Sequence, residues 1–326
     1  MTEALKVFDD RDVAQSLAER ARQGDIRAVA RLLTIAEQDP ASLEGVAGLR
    51  EIPSDAQVIG ITGPPGAGKS TLIGALVTEL RTHDHRIGVL AVDPSSPLTA
   101  GALLGDRIRM QSHAHDDGVF IRSLASRGQL GGVSAVTPLA IRILLATGHH
   151  RVVVETVGVG QSEVEIAQLA DTTVVVMAPG LGDGVQAGKA GLMEVADIYV
   201  VNKADRDGAT EVRRQLQSMI SWGRARGPGD WRRPIVMTTS TTGDGVEALA
   251  DEARRHHVWL RASGSTERRT ARAMAELEAA MLQPVSARLA TARADGTYDA
   301  LITEIVAGQL DGWTAAKALR DDASMH

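Results

Sequence analysis

Residues 63–70 read GPPGAGKS, which fits the phosphate-loop pattern GxxxxGK[ST] at every fixed position. The octet follows the apolar run VIGIT and opens a stretch of helical periodicity, the context the motif requires. Gly63, Gly66 and Gly68, interleaved with Pro64, Pro65 and Ala67, let backbone N–H groups turn inward around phosphate oxygens. The positive end of the following helix adds to the same field. Lys69 then supplies a point charge for the β- and γ-phosphates, and the Ser70 hydroxyl a ligand for Mg²⁺.

A second cluster, VVNKAD at 200–205, ends an apolar run with Asn-Lys-x-Asp. The Asp205 carboxylate can accept both the N1–H and the exocyclic amino group of guanine, a donor pair that adenine lacks. Asn202 would brace the loop and the stem of Lys203 would lie against the base. A polar turn after a strand is the alternative for an isolated match, but this one lies downstream of a phosphate loop in a chain of alternating strands and helices. One strand later VMTTSTT ends at 242, and Ser240, Thr241 and Thr242 are either a second base-side loop or an exposed Ser/Thr turn.

Three acids could serve the metal. Asp93 (AVDPSS) heads a loop rich in Pro, Gly and small residues, which reads either as a segment that orders around γ-phosphate or as an inert surface loop. Asp106 lies in LGDRIRM, followed by Arg107 and Arg109, which could complement phosphate charge or pair with surface acids. Glu155 closes the apolar run of RVVVETVGVGQSE, where an acid meets Mg²⁺ and the N–H of Gly158 senses the γ-phosphate. Val159 follows that glycine and cannot orient an attacking water, so hydrolysis is expected to be slow until a partner or a conformational change supplies what is missing. Catalytic roles therefore fall to Lys69, Glu155 and Gly158. The histidines come in close pairs (83/85, 113/115, 149/150, 256/257), which invites a metal reading, but each pair falls near an expected helix end or turn, and His at a helix C-terminus complements the dipole.

These groups need elements to position them. From Val58 onward VIGIT, IGVLAV, VFIRS, RVVVET, TTVVVMAP, IYVVNKA and PIVMTT alternate with helical stretches at 69–82, 134–147, 209–225 and 245–261. Continuous Val/Ile runs separated by helices predict an α/β fold, a mostly parallel central sheet covered on both faces, with ligands beyond the carboxyl ends of its strands. The expected organisation is an N-terminal helical extension over 1–52, a P-loop GTPase domain over 53–262 and a C-terminal helical dimerisation segment over 263–326. The 326 residues suffice for one large domain with appendages. A net charge of −6 speaks against a nucleic-acid or anionic-membrane binder, and the lack of Cys excludes disulfides and thiolate metal sites. No apolar leader or membrane-length stretch is evident, so a cytoplasmic protein is expected. Lysine occurs at only five positions, Lys6, Lys69, Lys189, Lys203 and Lys317, among many arginines.

In consecutive order, GPPGAGKST, VLAVDPSSP, LLGDRIRM, ETVGVGQSE and PGLGDGVQAGKAGLMEVADIYVVNKAD resemble the MeaB/ArgK-type GTPases associated with methylmalonyl-CoA mutase, within the SIMIBI class of P-loop GTPases. The resemblance covers most of the chain, including helical extensions at both ends. It implies a homodimeric GTPase chaperone of an adenosylcobalamin-dependent acyl-CoA mutase, most of all methylmalonyl-CoA mutase. Such a protein gates cofactor delivery from a cobalamin adenosyltransferase and protects or reactivates the mutase. It implies GTP/GDP and Mg²⁺ as ligands, with Lys69, Ser70 and Thr71 on phosphate and metal and Asp93, Asp106 and Glu155 in the metal and switch shell. Asp205 would read guanine, and the 180–189 loop would communicate with the partner through Asp183, Gln186 and Lys189. Lys69, Lys189 and Lys203 are then three of the five lysines. The chain departs from the pattern at Ala100 and Ala102, where Gly and Ser are expected, and at Ser240-Thr241, where Ser-Ala is usual. The alternative is a metal-insertion GTPase of the same class, which should carry His-rich or Cys-containing metal sites. A small-molecule kinase is a more distant alternative, since it would need an acceptor-binding lid and no NKxD.

Overall fold

The computed structural model describes residues 10–83, 86–93, 113, 116–125, 136–156, 162–180, 194–222 and 229–321. Seven strands form one sheet in the order β3-β2-β4-β1-β5-β6-β7, and every pairing in it is parallel. They are β1 (Gln57–Thr62), β2 (Ile87–Asp93), β3 (Val119–Ala125), β4 (Arg151–Thr156), β5 (Thr172–Met177), β6 (Ile198–Asn202) and β7 (Ile235–Thr238). Strands β1, β5 and β6 are buried along their whole length, without alternation. That is what β-branched runs give when helices cover both faces of a sheet.

Helix α3 (Lys69–Arg81) opens at the end of the phosphate loop, with Gly68 as its N-cap. It buries Leu72, Ile73, Leu76, Val77 and Leu80 in one core with Val246, Leu249, Ala250 and Ala253 of α7 (Val246–Ala262). A further cluster joins Val175, Met177, Tyr199 and Val201 of β5 and β6 to Leu216 of α6 (Ala209–Trp222). α4 (Thr137–Ala146) and α5 (Ser162–Leu169) flank β4 in sequence. The sequence pattern did not single out α5, because eight residues reading SEVEIAQL are too short to display helical periodicity.

The N-terminal helices α1 (Asp10–Arg22) and α2 (Ile26–Gln38) are tied to this scaffold. Asp25 caps α2 by accepting from Arg27 N at 2.9 Å and Ala28 N at 3.1 Å. Arg86 donates to Ala21 O at 3.1 Å, at the C-terminus of α1, and Arg122 of β3 pairs with Glu37 of α2.

By its contacts the chain divides into two compact units, 1–273 and 274–326, within the long helix α8 (Glu267–Ala294). Arg268 and Arg272, on the first turns of α8, make ion pairs with Asp197 and Asp171, so this part of the helix belongs with the first unit. The second unit holds the remainder of α8, α9 (Thr297–Val306) and α10 (Gly312–Asp321), with the Arg293 guanidinium 4.9 Å from the Tyr298 ring centroid. Met274, Leu277, Met281, Leu282 and Val285 of α8 are exposed. Among the described residues no helix is long and apolar enough to cross a membrane.

Candidate functional site

Because all seven strands run the same way, Thr62, Asp93, Thr156, Asn202 and Thr238 close their strands at one edge of the sheet. The phosphate loop leaves β1 there. Gly63, Gly66 and Gly68 have φ of 140°, 79° and 90°, in the region that glycine tolerates and other residues avoid. Gly68 is constrained in space as well, since a Cβ would stand 2.5 Å from Asn202 Nδ2. Gly63 and Pro64 are buried, Pro65 and Gly66 exposed, and Ala67 fully buried beneath the loop. Lys69 is 7% exposed and its ammonium donates to Gly63 O at 2.9 Å and Pro64 O at 3.3 Å, arching over the loop it follows. Thr71 sits half-buried in the first turn of α3.

Register places Glu155 of β4 opposite Ile61 of β1, and its carboxylate reaches across the strand ends. Ser70 Oγ donates to Glu155 Oε1 at 2.8 Å, with both residues 6% exposed. A buried hydroxyl and a buried carboxylate in contact form an oxygen donor pair at the N-terminus of the phosphate-loop helix. That chemistry suits Mg²⁺, a hard cation that takes one or two carboxylates together with substrate phosphate. Asp93 ends β2 beside β4, where Val92 pairs with Thr156, but its side chain lies outside the described residues. Asp106, Gly158, Asp183, Gln186 and Lys189 also lie outside them.

The base-side residues are assembled around Asn202, which is 2% exposed. Its Nδ2 donates to Ala67 O at 2.9 Å and, at 3.5 Å, to Gly68 O. Its Oδ1 accepts from Ser240 Oγ at 2.7 Å, Thr238 Oγ1 at 3.1 Å and Ser240 N at 3.3 Å. One amide thus joins the phosphate loop to the loop after β7. Lys203, the one non-glycine residue with positive φ (56°) among the described residues, sends its ammonium to Gly66 O at 2.7 Å. Holding a lysine in the left-handed region costs energy that the surrounding contacts must offset, and such strain concentrates at functional positions. Asp205 is exposed beyond it. Thr241 and Thr242 are exposed in a turn closed by Thr242 Oγ1 donating to Asp244 at 2.6 Å, whereas Ser240 is buried.

Sequence reasoning passed over the threonines that close the strands. Thr156 Oγ1 donates to Thr62 Oγ1 at 3.0 Å between two fully buried side chains, joining the strand that feeds the phosphate loop to the strand that carries Glu155. The available signal was a hydroxyl ending each apolar run. The expectation that the paired histidines act as helix-end cations fails at His149, His256 and His257. Burial, with Arg86 nearby, pushes His149 down to about 4, and burial first of all lowers the other two. All three are neutral near pH 7.

The family model described as methylmalonyl Co-A mutase-associated GTPase MeaB matches residues 29–294. A Pyrococcus horikoshii protein bearing a provisional GTPase name is 46% identical over 303 residues, covering 92% of this chain and 95% of its own. The Mus musculus methylmalonic aciduria type A homolog, mitochondrial, is 38% identical over 208 residues, 63% of this chain and 50% of that protein. A solved structure described as an LAO/AO transport system kinase superposes with a TM-score of 0.66 at 26% identity, covering 96% of this chain and 98% of that one.

Proposed function

Because this chain belongs to the methylmalonyl-CoA mutase-associated GTPase family, we propose that it is the GTP-driven chaperone of an adenosylcobalamin-dependent acyl-CoA mutase, methylmalonyl-CoA mutase first. In this reading it works as a cytoplasmic homodimer, gates delivery of the cobalamin cofactor from an adenosyltransferase, and protects or reactivates the mutase. The observation that carries the partner assignment is the family match across residues 29–294. The name of the mouse relative, which refers to methylmalonic aciduria, points the same way.

The chain is a GTPase, and its geometry supports a division of labour. The loop 63–70 cradles the phosphates with backbone N–H groups and the Lys69 ammonium, and Thr71 extends that contact. Mg²⁺ bound through Ser70 and Glu155, with Asp93 and Asp106 as further acids, would neutralise charge on the β- and γ-phosphates. Asp205 reads the guanine edge, and Asn202, Lys203 and the Ser240–Thr242 turn hold the base loops to the phosphate loop. Gly158 is followed by Val159, an aliphatic side chain that orients no water. The resulting GTP state is long-lived, which suits a protein whose output is a change of partner contact through Asp183, Gln186 and Lys189. Co-purification with methylmalonyl-CoA mutase, with and without a non-hydrolysable GTP analogue, tests the assignment. The expected result is a complex whose affinity changes with nucleotide; no complex in any nucleotide state overturns it.

A further inference from the structure

Strand alternation sorts the last residues of β1 and β4 onto two faces of the sheet. Ile59 and Ile61 of β1 and Val153 of β4 lie in one core with Leu72 and Ile73 of α3. Glu155, two residues after Val153, belongs to that face, and Ser70 of α3 meets it there at 2.8 Å. Gly60 marks the other face, where a Cβ would stand 2.6 Å from Ile166 Cγ1 and 2.9 Å from Ala170 Cβ. Thr62 and Thr156 belong to this second face, and Thr156 Oγ1 donates to Thr62 Oγ1 at 3.0 Å.

The place of this bond is informative. The pairing of β1 with β4 ends at Ile61 and Glu155. One residue on, each strand keeps only its outer neighbour: Thr62 lies opposite Val175 of β5, and Thr156 opposite Val92 of β2. The two central strands therefore part where β1 turns into the phosphate loop, and the hydroxyl bond carries their connection one residue past the backbone ladder. The end of β4 is held from both faces, by Ser70 on the α3 side and by Thr62 on the other. Thr62 directly precedes Gly63, and Thr156 directly follows Glu155. Both threonines are fully buried. Valine would fill the same space without desolvating a hydroxyl, so packing alone does not account for the pair.

We propose that Thr62 and Thr156 are positioning residues for Mg²⁺, their shared hydrogen bond fixing the Glu155 carboxylate against Ser70 where the phosphate loop begins. The proposal rests on the reading of Ser70 and Glu155 as ligands of the metal, and it is independent of the mutase assignment.

The test uses the full-length protein. It reads the affinity for a fluorescent GDP analogue in EDTA and across a Mg²⁺ titration, together with kcat for GTP and the melting temperature. Thr62→Val/Thr156→Val keeps the branched shapes and leaves no hydroxyl without its partner, so the melting temperature should stay near wild type. The Mg²⁺ concentration for half-maximal effect should rise, and kcat fall, by about threefold to tenfold, the scale of coupling through packed networks. GDP affinity in EDTA should keep its wild-type value, because the phosphate loop and the base-side residues are untouched. Thr62→Ser/Thr156→Ser, which retains both hydroxyls, should restore the Mg²⁺ dependence; a loss equal to that of the valine pair would assign the effect to packing and overturn the proposal. Thr156→Val alone carries the same readouts if the valine pair does not fold. Glu155→Gln separates the two readings, since it should raise the Mg²⁺ requirement at least as far as the valine pair does. No change in Glu155→Gln overturns the metal assignment and the proposal with it. A shift in Glu155→Gln beside an unchanged Mg²⁺ requirement in the valine pair overturns the proposal alone. So does an equal loss of GDP affinity with and without Mg²⁺, which would mark the threonines as general supports of the loop.

Discussion

Asn202→Ala is the most informative single substitution in the nucleotide site, because one buried amide holds two loops that must act together. The amide oxygen accepts from Thr238 Oγ1, Ser240 N and Ser240 Oγ, and the amide nitrogen donates to Ala67 O. When it is removed, the two hydroxyls can rotate toward other acceptors, but the Ser240 N–H and the Ala67 carbonyl are backbone groups and cannot. Two stranded backbone groups at about 1–3 kcal/mol each give a gross loss of about 2–6 kcal/mol. A water entering the vacated polar space recovers part of it, so the expected net destabilisation is about 2–3 kcal/mol. The same loosening separates the phosphate loop from the base loop, and GDP affinity should fall by about tenfold to a hundredfold, or about 1.4–2.8 kcal/mol. Urea unfolding gives the first quantity and titration with fluorescent GDP the second. Gly68→Ala approaches the same contact from the other side, since its Cβ would meet Asn202 Nδ2 at 2.5 Å, and should weaken GDP in the same direction. A double-mutant cycle between Asn202→Ala and Ser240→Ala should show coupling of at least about 0.5–1 kcal/mol. If stability drops as calculated while GDP affinity is unchanged, the two loops are not coupled through Asn202 and the reasoning is refuted.

Asp205→Asn should weaken GTP and GDP strongly, each lost charged hydrogen bond being worth about 1.5–3 kcal/mol, and should admit xanthine nucleotides; nucleotide competition decides, and equal wild-type affinity for ATP and GTP would remove the guanine assignment. Lys69→Ala should lower GTP turnover by about two orders of magnitude or more, the scale of losing one donor to developing charge; steady-state phosphate release checks it, and near-normal turnover would place the transition-state charge elsewhere. The native pKa of His149, about 4, lies below its ordinary 6.5. Below pH 6.5 the unfolded chain therefore binds a proton that the native state refuses, and stability should fall by up to about 3 kcal/mol between pH 6.5 and 4. His149→Asn should flatten that part of the urea-midpoint profile, and an unaltered slope would assign the acid sensitivity to other groups. Leu277→Glu combined with Met281→Glu, at positions 65% and 71% exposed, should yield a monomer by light scattering with GTP binding intact; a persistent dimer would move the interface off this face of α8.

The candidate nucleotide site is read from the sequence because its parts are local. The phosphate loop needs glycine at fixed steps and a lysine and a hydroxyl at the next two, and GPPGAGKS states that requirement in eight consecutive residues. The NKAD turn is equally local, and the Val/Ile runs specify a buried parallel sheet because strands covered on both faces need apolar residues at every position. Strand order was not legible. That β1 lies between β4 and β5, which brings Glu155 within 2.8 Å of Ser70 across 85 residues of sequence, is settled by packing of helices against both faces.

The remaining features exist only because distant segments meet. Nothing in the LADT and VADI tetrapeptides at 169–172 and 195–198 announces that Asp171 will hold Arg272, 101 residues on, or that Asp197 will hold Arg268, 71 residues on; the pairing appears when the first turns of α8 meet the starts of β5 and β6. The histidines show the same limit from the opposite side. Their spacing near helix ends suggested groups that complement helix dipoles, but protonation is governed by desolvation, a property of the surrounding volume and not of neighbouring residues in the chain. His149 and His256 are 3% and 1% exposed and stay neutral. Short-range geometry is written in short stretches of sequence, whereas burial, charge pairing and pKa are set by which surfaces the folded chain brings together.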